Sequence, residues 1–241
     1  MAGMFVVGTD TGVGKTLAST AMMHALRALG HRVVGMKPVA AGATLREGEW
    51  FNEDVSQLIA ASSVPVPSGL VNPYLFREAI APHIAAERKG VRIEIPRIVD
   101  AYQALASLSD WVVVEGVGGF RVPLDARRDT ADLAVALGLP VLLVVGMRLG
   151  CLNHALLTAE AMTARGLRVA AWVANRLDPE MAAYDENLAA LAARLDAPCI
   201  AEFPWMAVPD AEKVARLISP AGLCKWLASL PGASAGKTIS S

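Results

Sequence analysis

Near the start of the 241-residue chain, the segment Phe5-Val-Val-Gly-Thr-Asp-Thr-Gly-Val-Gly-Lys-Thr16 holds the strongest chemistry in the sequence. An apolar run leads into a glycine-rich turn, and Gly14-Lys15-Thr16 follows where a helical pattern begins. Glycines allow successive backbone N–H groups to turn inward around an anion. A helix N-terminus adds unsatisfied donors and a partial positive charge. In that setting Lys15 reaches the β- and γ-phosphates of a nucleotide, and the Thr16 hydroxyl ligates magnesium. The spacing departs from the usual phosphate loop in one respect. Gly8 and Gly14 enclose five residues, so Thr9 stands where the first glycine normally falls.

Other residues suit the same chemistry by position. Trp111-Val-Val-Val-Glu115 is an apolar run ending in a carboxylate, followed by Gly116-Val-Gly-Gly119. Such a carboxylate can sit beside a phosphate loop and help to hold magnesium, although an acid ending a strand is also an ordinary cap. Lys37 closes the short run before Pro38. A lysine there is commonly a snorkelling surface residue. Parallel strands, however, present their carboxyl ends at one edge, where two lysines converging on one anionic centre would serve phosphoryl transfer.

The remaining candidates have plainer alternatives. Asn52-Glu53-Asp54 reads equally as a helix start with solvated acids. Gly150-Cys-Leu-Asn153 opens a helical stretch whose free amides could take a carboxylate, or which Asn153 or a neighbour of Cys151 simply caps. Asn175 follows an apolar run, as turn residues often do. Cys151 reads as a small packed residue with no activating base apparent. His24, His31, His83 and His154 lack metal-ligand spacing, and of these His83 is the one read as lining a cleft.

The elements that must position these residues form an alternation. Met4–Val7, Val33–Met36, Trp111–Val114, Val141–Val145 and Val169–Ala174 are short, aliphatic and uninterrupted, as fully buried strands are. Between them, Lys15–Leu29, Pro96–Ser107, Leu152–Arg165 and Met181–Leu195 carry apolar residues at three- and four-residue spacing, with Gly30 and Gly166 where C-terminal caps fall. Such alternation predicts an α/β fold: a mostly parallel sheet with helices on both faces. A single domain over 1–241 is expected, with a tail at 232–241 that is small, polar and aperiodic. Ala41–Gly90 interrupts the pattern and reads as an irregular excursion, of the kind that builds a substrate site or merely decorates the surface.

Composition sets outer bounds. With 54% hydrophobic and 19% charged residues, a large core is easily built. A net charge of −1 with no basic run argues against a nucleic-acid partner. The longest apolar runs fall far short of the ~20 residues a membrane helix needs, so no membrane association is expected. Three scattered cysteines fit a reducing, cytoplasmic setting.

The motifs taken together resemble one family. Gly8-Thr-Asp-Thr-Gly-Val-Gly-Lys-Thr16, Lys37-Pro38, Glu115-Gly-Val-Gly-Gly119 and Gly150-Cys-Leu-Asn153 follow the order and spacing of dethiobiotin synthetases. Asn72-Pro73-Tyr74, Ala81-Pro82-His83 and Ala174-Asn175 are similar to that family as well, and the resemblance runs from Phe5 to about Leu227. It implies a phosphate-loop NTPase-like fold and an ATP-dependent cyclo-ligase using ATP and Mg2+. The substrates would be 7,8-diaminopelargonic acid and CO2, and the products dethiobiotin, ADP and phosphate, formed through a carbamate and a carbamic–phosphoric anhydride.

The same resemblance assigns roles. Lys37, Lys15 and the backbone around Thr11 and Gly12 would act on the carbamate and phosphates. Gly12, Val13, Gly14, Lys15, Thr16 and Leu17 would hold the nucleotide, with Asn175 and Pro204 at adenine and Trp205 nearby. Thr16, Asp54 and Glu115 would hold magnesium. Gly150, Cys151, Leu152 and Asn153 would receive the substrate carboxylate from across a homodimer, with Ala41 also at the substrate. Gly12 and Ala41 depart from relatives that carry an acid and a hydroxyl there. A partition-type ATPase would usually place a further lysine early in the loop, where this chain has Thr9-Asp10-Thr11. A cobyrinate-type amidoligase would need a glutamine-hydrolysing domain for which no room remains.

Overall fold

All five runs read as buried strands form strands, and a sixth joins them in the same sheet. The computed structural model describes residues 2–230, so the tail at 232–241 lies outside the described residues. β1 (Ala2–Gly8) passes through the glycine-rich turn into α1 (Lys15–Ala28), then β2 (Val33–Met36). Next come β3 (Val39–Ala41), β4 (Thr44–Arg46), β5 (Glu49–Phe51), α2 (Glu53–Ala61), α3 (Ser68–Val71), β6 (Tyr74–Phe76) and α4 (Pro82–Lys89). The alternation resumes with α5 (Ile95–Leu108), β7 (Trp111–Glu115), α6 (Thr130–Leu137), β8 (Val141–Met147), α7 (Cys151–Thr163) and β9 (Val169–Arg176). α8 (Tyr184–Ala192), β10 (Cys199–Phe203), α9 (Ala211–Ala215) and α10 (Pro220–Ser229) complete the described chain.

The six-stranded sheet is parallel, in the order β10-β9-β8-β1-β7-β2. Because strand side chains alternate between faces, one sheet feeds two cores. Met4, Val6, Val33, Val113, Leu142 and Val144 pack with Met22 and Leu26 of α1, Leu58 of α2 and Trp226 of α10. Phe5, Val7, Val34, Val112, Val114 and Leu143 pack on the other side with Ile98 and Leu105 of α5, Leu133 of α6 and Met162 of α7. Each fully buried side chain of this size contributes about 1.5–3 kcal/mol of transfer free energy. Gly30 and Gly166 adopt φ of 85° and 73°, as glycines terminating helices do. No helix of the described residues is long and apolar enough to cross a membrane.

The excursion is more ordered than its sequence suggests. β3 and β6 pair in parallel, and β4 and β5 form a hairpin. The hairpin's two-residue turn places Glu47 and Gly48 at φ of 52° and 86°, the twist such tight connections require. Asn52 then caps α2, its side-chain oxygen accepting from the Val55 N–H at 3.2 Å. The helix expected at Met181–Leu195 is shorter, Tyr184–Ala192, because Ala183 takes a left-handed φ of 53° immediately before it.

Candidate active site

The strand order brings the motif residues together. Val6 of β1 lies opposite Glu115 of β7, and Met36 of β2 lies opposite Val114. Lys37, one residue beyond β2, therefore arrives level with Glu115 at the carboxyl edge of the sheet. The turn after β1 opens at the same edge.

Within that turn Gly12 and Gly14 have φ of 75° and 89°, a backbone region that favours glycine. A β-carbon at position 14 would also collide with the Asn175 amide. That amide is buried at the end of β9 and donates to the Val13 carbonyl at 2.9 Å. No side chain caps the start of α1, so its first-turn N–H groups face the loop without a side-chain partner. Lys15 is buried and donates to the Asp10 carbonyl at 2.9 Å. Burial and the neighbouring Lys37 bring its pKa down to about 8, against the opposing pull of nearby carboxylates.

Lys37 bridges two carboxylates. Its Nζ lies 2.5 Å from Glu115 Oε1 and 2.7 Å from Asp54 Oδ2. Burial disfavours its charge, but Glu115 and Asp54 outweigh that and raise its pKa above the ordinary lysine value. Burial likewise works against charged Asp54, and the Lys37 ammonium prevails, holding that carboxyl below its usual range.

Thr16 joins the same cluster, its Oγ1 lying 3.0 Å from Asp54 Oδ1 and 2.9 Å from Glu115 Oε1. A hydroxyl has one hydrogen, so it donates to only one of these oxygens at a time. Glu115 Oε2 is buried with no hydrogen-bond partner. An oxygen-rich cluster short of protons suits a hard cation, and two carboxylates with a hydroxyl, completed by water and phosphate oxygens, match magnesium. Among the described residues there is no group of three or more His, Cys, Asp or Glu that would form a cage without phosphate.

The other sequence candidates make none of the hydrogen bonds or ion pairs that join this cluster. Thr11 is exposed on the loop, and its N–H donates to Asp10 Oδ1 at 2.7 Å. Leu17 continues α1, half-buried, and Ala41 ends β3, its carbonyl 3.4 Å from Asn52 Nδ2. Gly150, with φ 95°, opens α7 without a side-chain cap, so capping by Asn153 does not occur. Cys151 is buried, Leu152 half-buried and Asn153 exposed, beside a Leu149 that is 96% exposed. Pro204 and Trp205 are exposed, just after β10. His83 carries a buried Nδ1 without a partner.

Arg148, and its pairing with Asp10 of the loop, escaped the sequence reading. Asp10 and Arg148, 138 positions apart, pair at 2.7 Å and tie the loop to the turn before α7. The available signal was Arg148's place just after an apolar strand, at the ligand edge. A cleft of about 370 Å³ lies elsewhere, lined by Phe76, Arg77, Glu78, Ala85, Arg88 and Lys89. Its charged groups are engaged locally: Arg88 pairs with Glu78, Arg77 stacks on Trp50 and Lys89 on Phe76. The buried opposite charges converge instead beside the glycine-rich loop.

A parallel sheet with a glycine-rich loop between β1 and α1, and a carboxylate ending the neighbouring strand, defines a phosphate-loop NTPase fold. A family described as "AAA domain" matches residues 2–213. An ATP-dependent dethiobiotin synthetase of Aromatoleum aromaticum is 56% identical over 88% of this chain and 94% of its own length. That of Ralstonia nicotianae is 53% identical over 91% and 96%. The chain belongs to the ATP-dependent dethiobiotin synthetase family. Among solved structures, the MinC:MinD cell division complex of Aquifex aeolicus superposes with a TM-score of 0.59 at 15% identity, covering 96% of this chain and 98% of that one. MinD with Mg-ADP from Pyrococcus horikoshii gives 0.53 at 14%, covering 95% and 90%. At such identities these share the fold.

Proposed function

We propose that this site closes the ureido ring of dethiobiotin in biotin biosynthesis, from 7,8-diaminopelargonic acid, CO2 and MgATP. As a family member the chain is an ATP-dependent ligase. The observation that carries the reaction is the convergence of Lys15, Lys37, Thr16, Asp54 and Glu115 at the mouth of the phosphate loop.

One substrate amine adds to CO2 and loses a proton, giving a carbamate. A carbamate oxygen takes the γ-phosphoryl group of ATP and ADP leaves. The second amine attacks the carbamoyl carbon and gives up a proton as the ring closes, and phosphate departs with the bonding electrons. Such phosphoryl transfer needs positioning and charge neutralisation more than a protein nucleophile. On this reading Lys15 and the amides from Gly12 to Leu17 hold the β- and γ-phosphates, and Lys37 meets charge spreading between carbamate and phosphate. Thr11 and Gly12 help to orient the carbamate, and Asn175 and Pro204 flank adenine. Thr16, Asp54 and Glu115 would hold magnesium, which would supply neutralisation of the phosphate oxygens when bound.

The substrate's distant carboxylate is assigned to the uncapped start of α7, Gly150 to Asn153, contributed by the partner subunit of a homodimer, with Ala41 on the near side. The sparse free cysteines support a cytoplasmic setting.

The test is ADP release from purified protein with MgATP and bicarbonate, with and without 7,8-diaminopelargonic acid, followed by mass analysis. Diamine-dependent ADP formation with a cyclic urea product is expected. ATP hydrolysis indifferent to the diamine overturns the assignment while leaving the phosphate loop intact.

A further inference from the structure

Lys37 occupies a position that does not suit a lysine serving an anion. Both oxygens it touches, Glu115 Oε1 and Asp54 Oδ2, belong to carboxylates that also crowd the single Thr16 hydroxyl. Lys37 is 4% exposed and Glu115 1%, so water compensates little of the charge of that pair, while the Asp54 side chain is 42% exposed. Held this way, Lys37 is spent on the protein's own acids.

The backbone around it is fixed independently of that contact. The Lys37 N–H donates to the Val71 carbonyl at 2.8 Å, and the Lys37 carbonyl accepts from Asn72 Nδ2 at 2.6 Å. With the backbone pinned, any movement of the ammonium has to come from rotamer change of its long side chain. A divalent cation on Glu115 and Asp54 would face that ammonium at close range and repel it, with little water between buried Lys37 and Glu115 to screen the repulsion.

We propose that Lys37 is a place-holder for the metal. It neutralises Asp54 and Glu115 in the metal-free protein and is expelled toward the reacting centre when the divalent cation takes those oxygens. Metal arrival thus liberates the lysine that acts on the substrate, so productive engagement of the carbamate follows metal–nucleotide binding. The proposal rests on the reading of Asp54 and Glu115 as metal ligands.

Two measurements on the full chain separate the failure of one from the failure of the other. The first is Mn2+ affinity by electron paramagnetic resonance for wild type, Glu115→Gln, Asp54→Asn and Lys37→Met. The two carboxylate variants are expected to bind at least tenfold more weakly, and Lys37→Met at least tenfold more tightly, because its competitor is gone. Unchanged affinity in both carboxylate variants removes the metal reading and the proposal with it. Weakened carboxylate variants with no tightening in Lys37→Met leave the metal site and overturn the place-holder.

The second reads the 1H–15N signal of the Lys37 side-chain ammonium, assigned by its loss in the variant. In ADP-saturated wild type the signal is expected to persist, and to vanish or shift when Mg2+ is added. A signal unmoved at Mg2+ saturation overturns exchange. Should Lys37→Met fail to fold, Lys37→Gln serves for assignment, and the wild-type titration still decides.

Discussion

Replacing Gly14 by alanine is expected to destabilise the nucleotide-free protein through two separable effects. Gly14 sits at φ 89° and ψ 33°, where an L-residue costs about 1–2 kcal/mol. Its new β-carbon would also collide with the Asn175 amide, which is 5% exposed and tied to the Val13 carbonyl. Overpacking of that kind costs roughly 1–3 kcal/mol. Together the two amount to about 2–5 kcal/mol, a fall of roughly 4–20 °C in Tm for a chain of this size. Gly12→Ala is the built-in control. Its φ is 75°, but nothing lies within 4 Å of a β-carbon there, so only the backbone cost of about 1–2 kcal/mol applies. Asn175→Ala alone loses a buried hydrogen bond and leaves the Val13 carbonyl unmatched, about 1–3 kcal/mol. In that background the collision disappears, and Gly14→Ala should cost about 1–3 kcal/mol less than in wild type. Urea unfolding of the four proteins of the cycle, with Gly12→Ala beside them, measures this directly. Additivity within about 0.5 kcal/mol would refute the collision. So would a Gly14→Ala no more damaging than Gly12→Ala.

Three further expectations follow from the same geometry. On the proposed metal assignment, Glu115→Ala should raise the magnesium concentration needed for half-maximal turnover by on the order of tenfold or more, through loss of the proposed ligand and its buried charge; an unchanged requirement counts against the metal assignment. Native alkylation at pH 8 should label Cys224, which is exposed, well before buried Cys151 and before Cys199, whose thiol burial pushes up to about 11. Equal labelling of Cys199 and Cys224 would contradict that. Asp125 accepts from the Arg127 N–H and from the Arg128 side chain and N–H, which hold its carboxyl down to about 2. Its folded value lies below the unfolded value of about 4, so its stabilisation is full above pH 4 and is lost as pH falls toward 2. Asp125→Asn should therefore melt below wild type at pH 6 and converge with it near pH 2, and a gap independent of pH would argue against the linkage.

The parallel sheet is legible because its central strands are buried on both faces and so carry uninterrupted aliphatic runs. β10 lies at the sheet's edge, and Cys199-Ile-Ala-Glu-Phe203 mixes an exposed Glu202 with buried Ala201 and Phe203, which dilutes that signal. Lys15, Thr16, Lys37 and Glu115 can be found by asking what stands at the end of each run, since parallel topology delivers all such ends to one edge. Asp54 cannot be found that way. It reaches Thr16 and Lys37 because a hairpin with a tight Glu47-Gly48 turn returns the chain and Asn52 caps α2 there, so it is at once a first-turn acid and a member of the cluster. The two readings of Asn52-Glu53-Asp54 are compatible. The Asp10–Arg148 pair depends on a three-dimensional meeting across β1 and β8 that no local pattern encodes.

A fold does not by itself carry a reaction. A phosphate loop by itself cradles a nucleotide; what is done with the terminal phosphate depends on the side chains that adjoining strands deliver beside it. Here that delivery is a matter of register. Met36 lies opposite Val114, so Lys37 emerges level with Glu115, one residue after β2 ends. Strand side chains alternate with a period of two, so a slip of β2 by one residue would turn the lysine to the opposite face and leave Glu115 without its counter-charge. That register is held at the position itself: the Lys37 N–H is bound to Val71 and its carbonyl to Asn72, both from the excursion. The excursion therefore works on both partners of the cluster, supplying Asp54 directly and fixing the backbone that presents Lys37. An insertion between Phe51 and Asn72 should on this account disturb the lysine and the carboxylate together, even though Lys37 lies outside that segment.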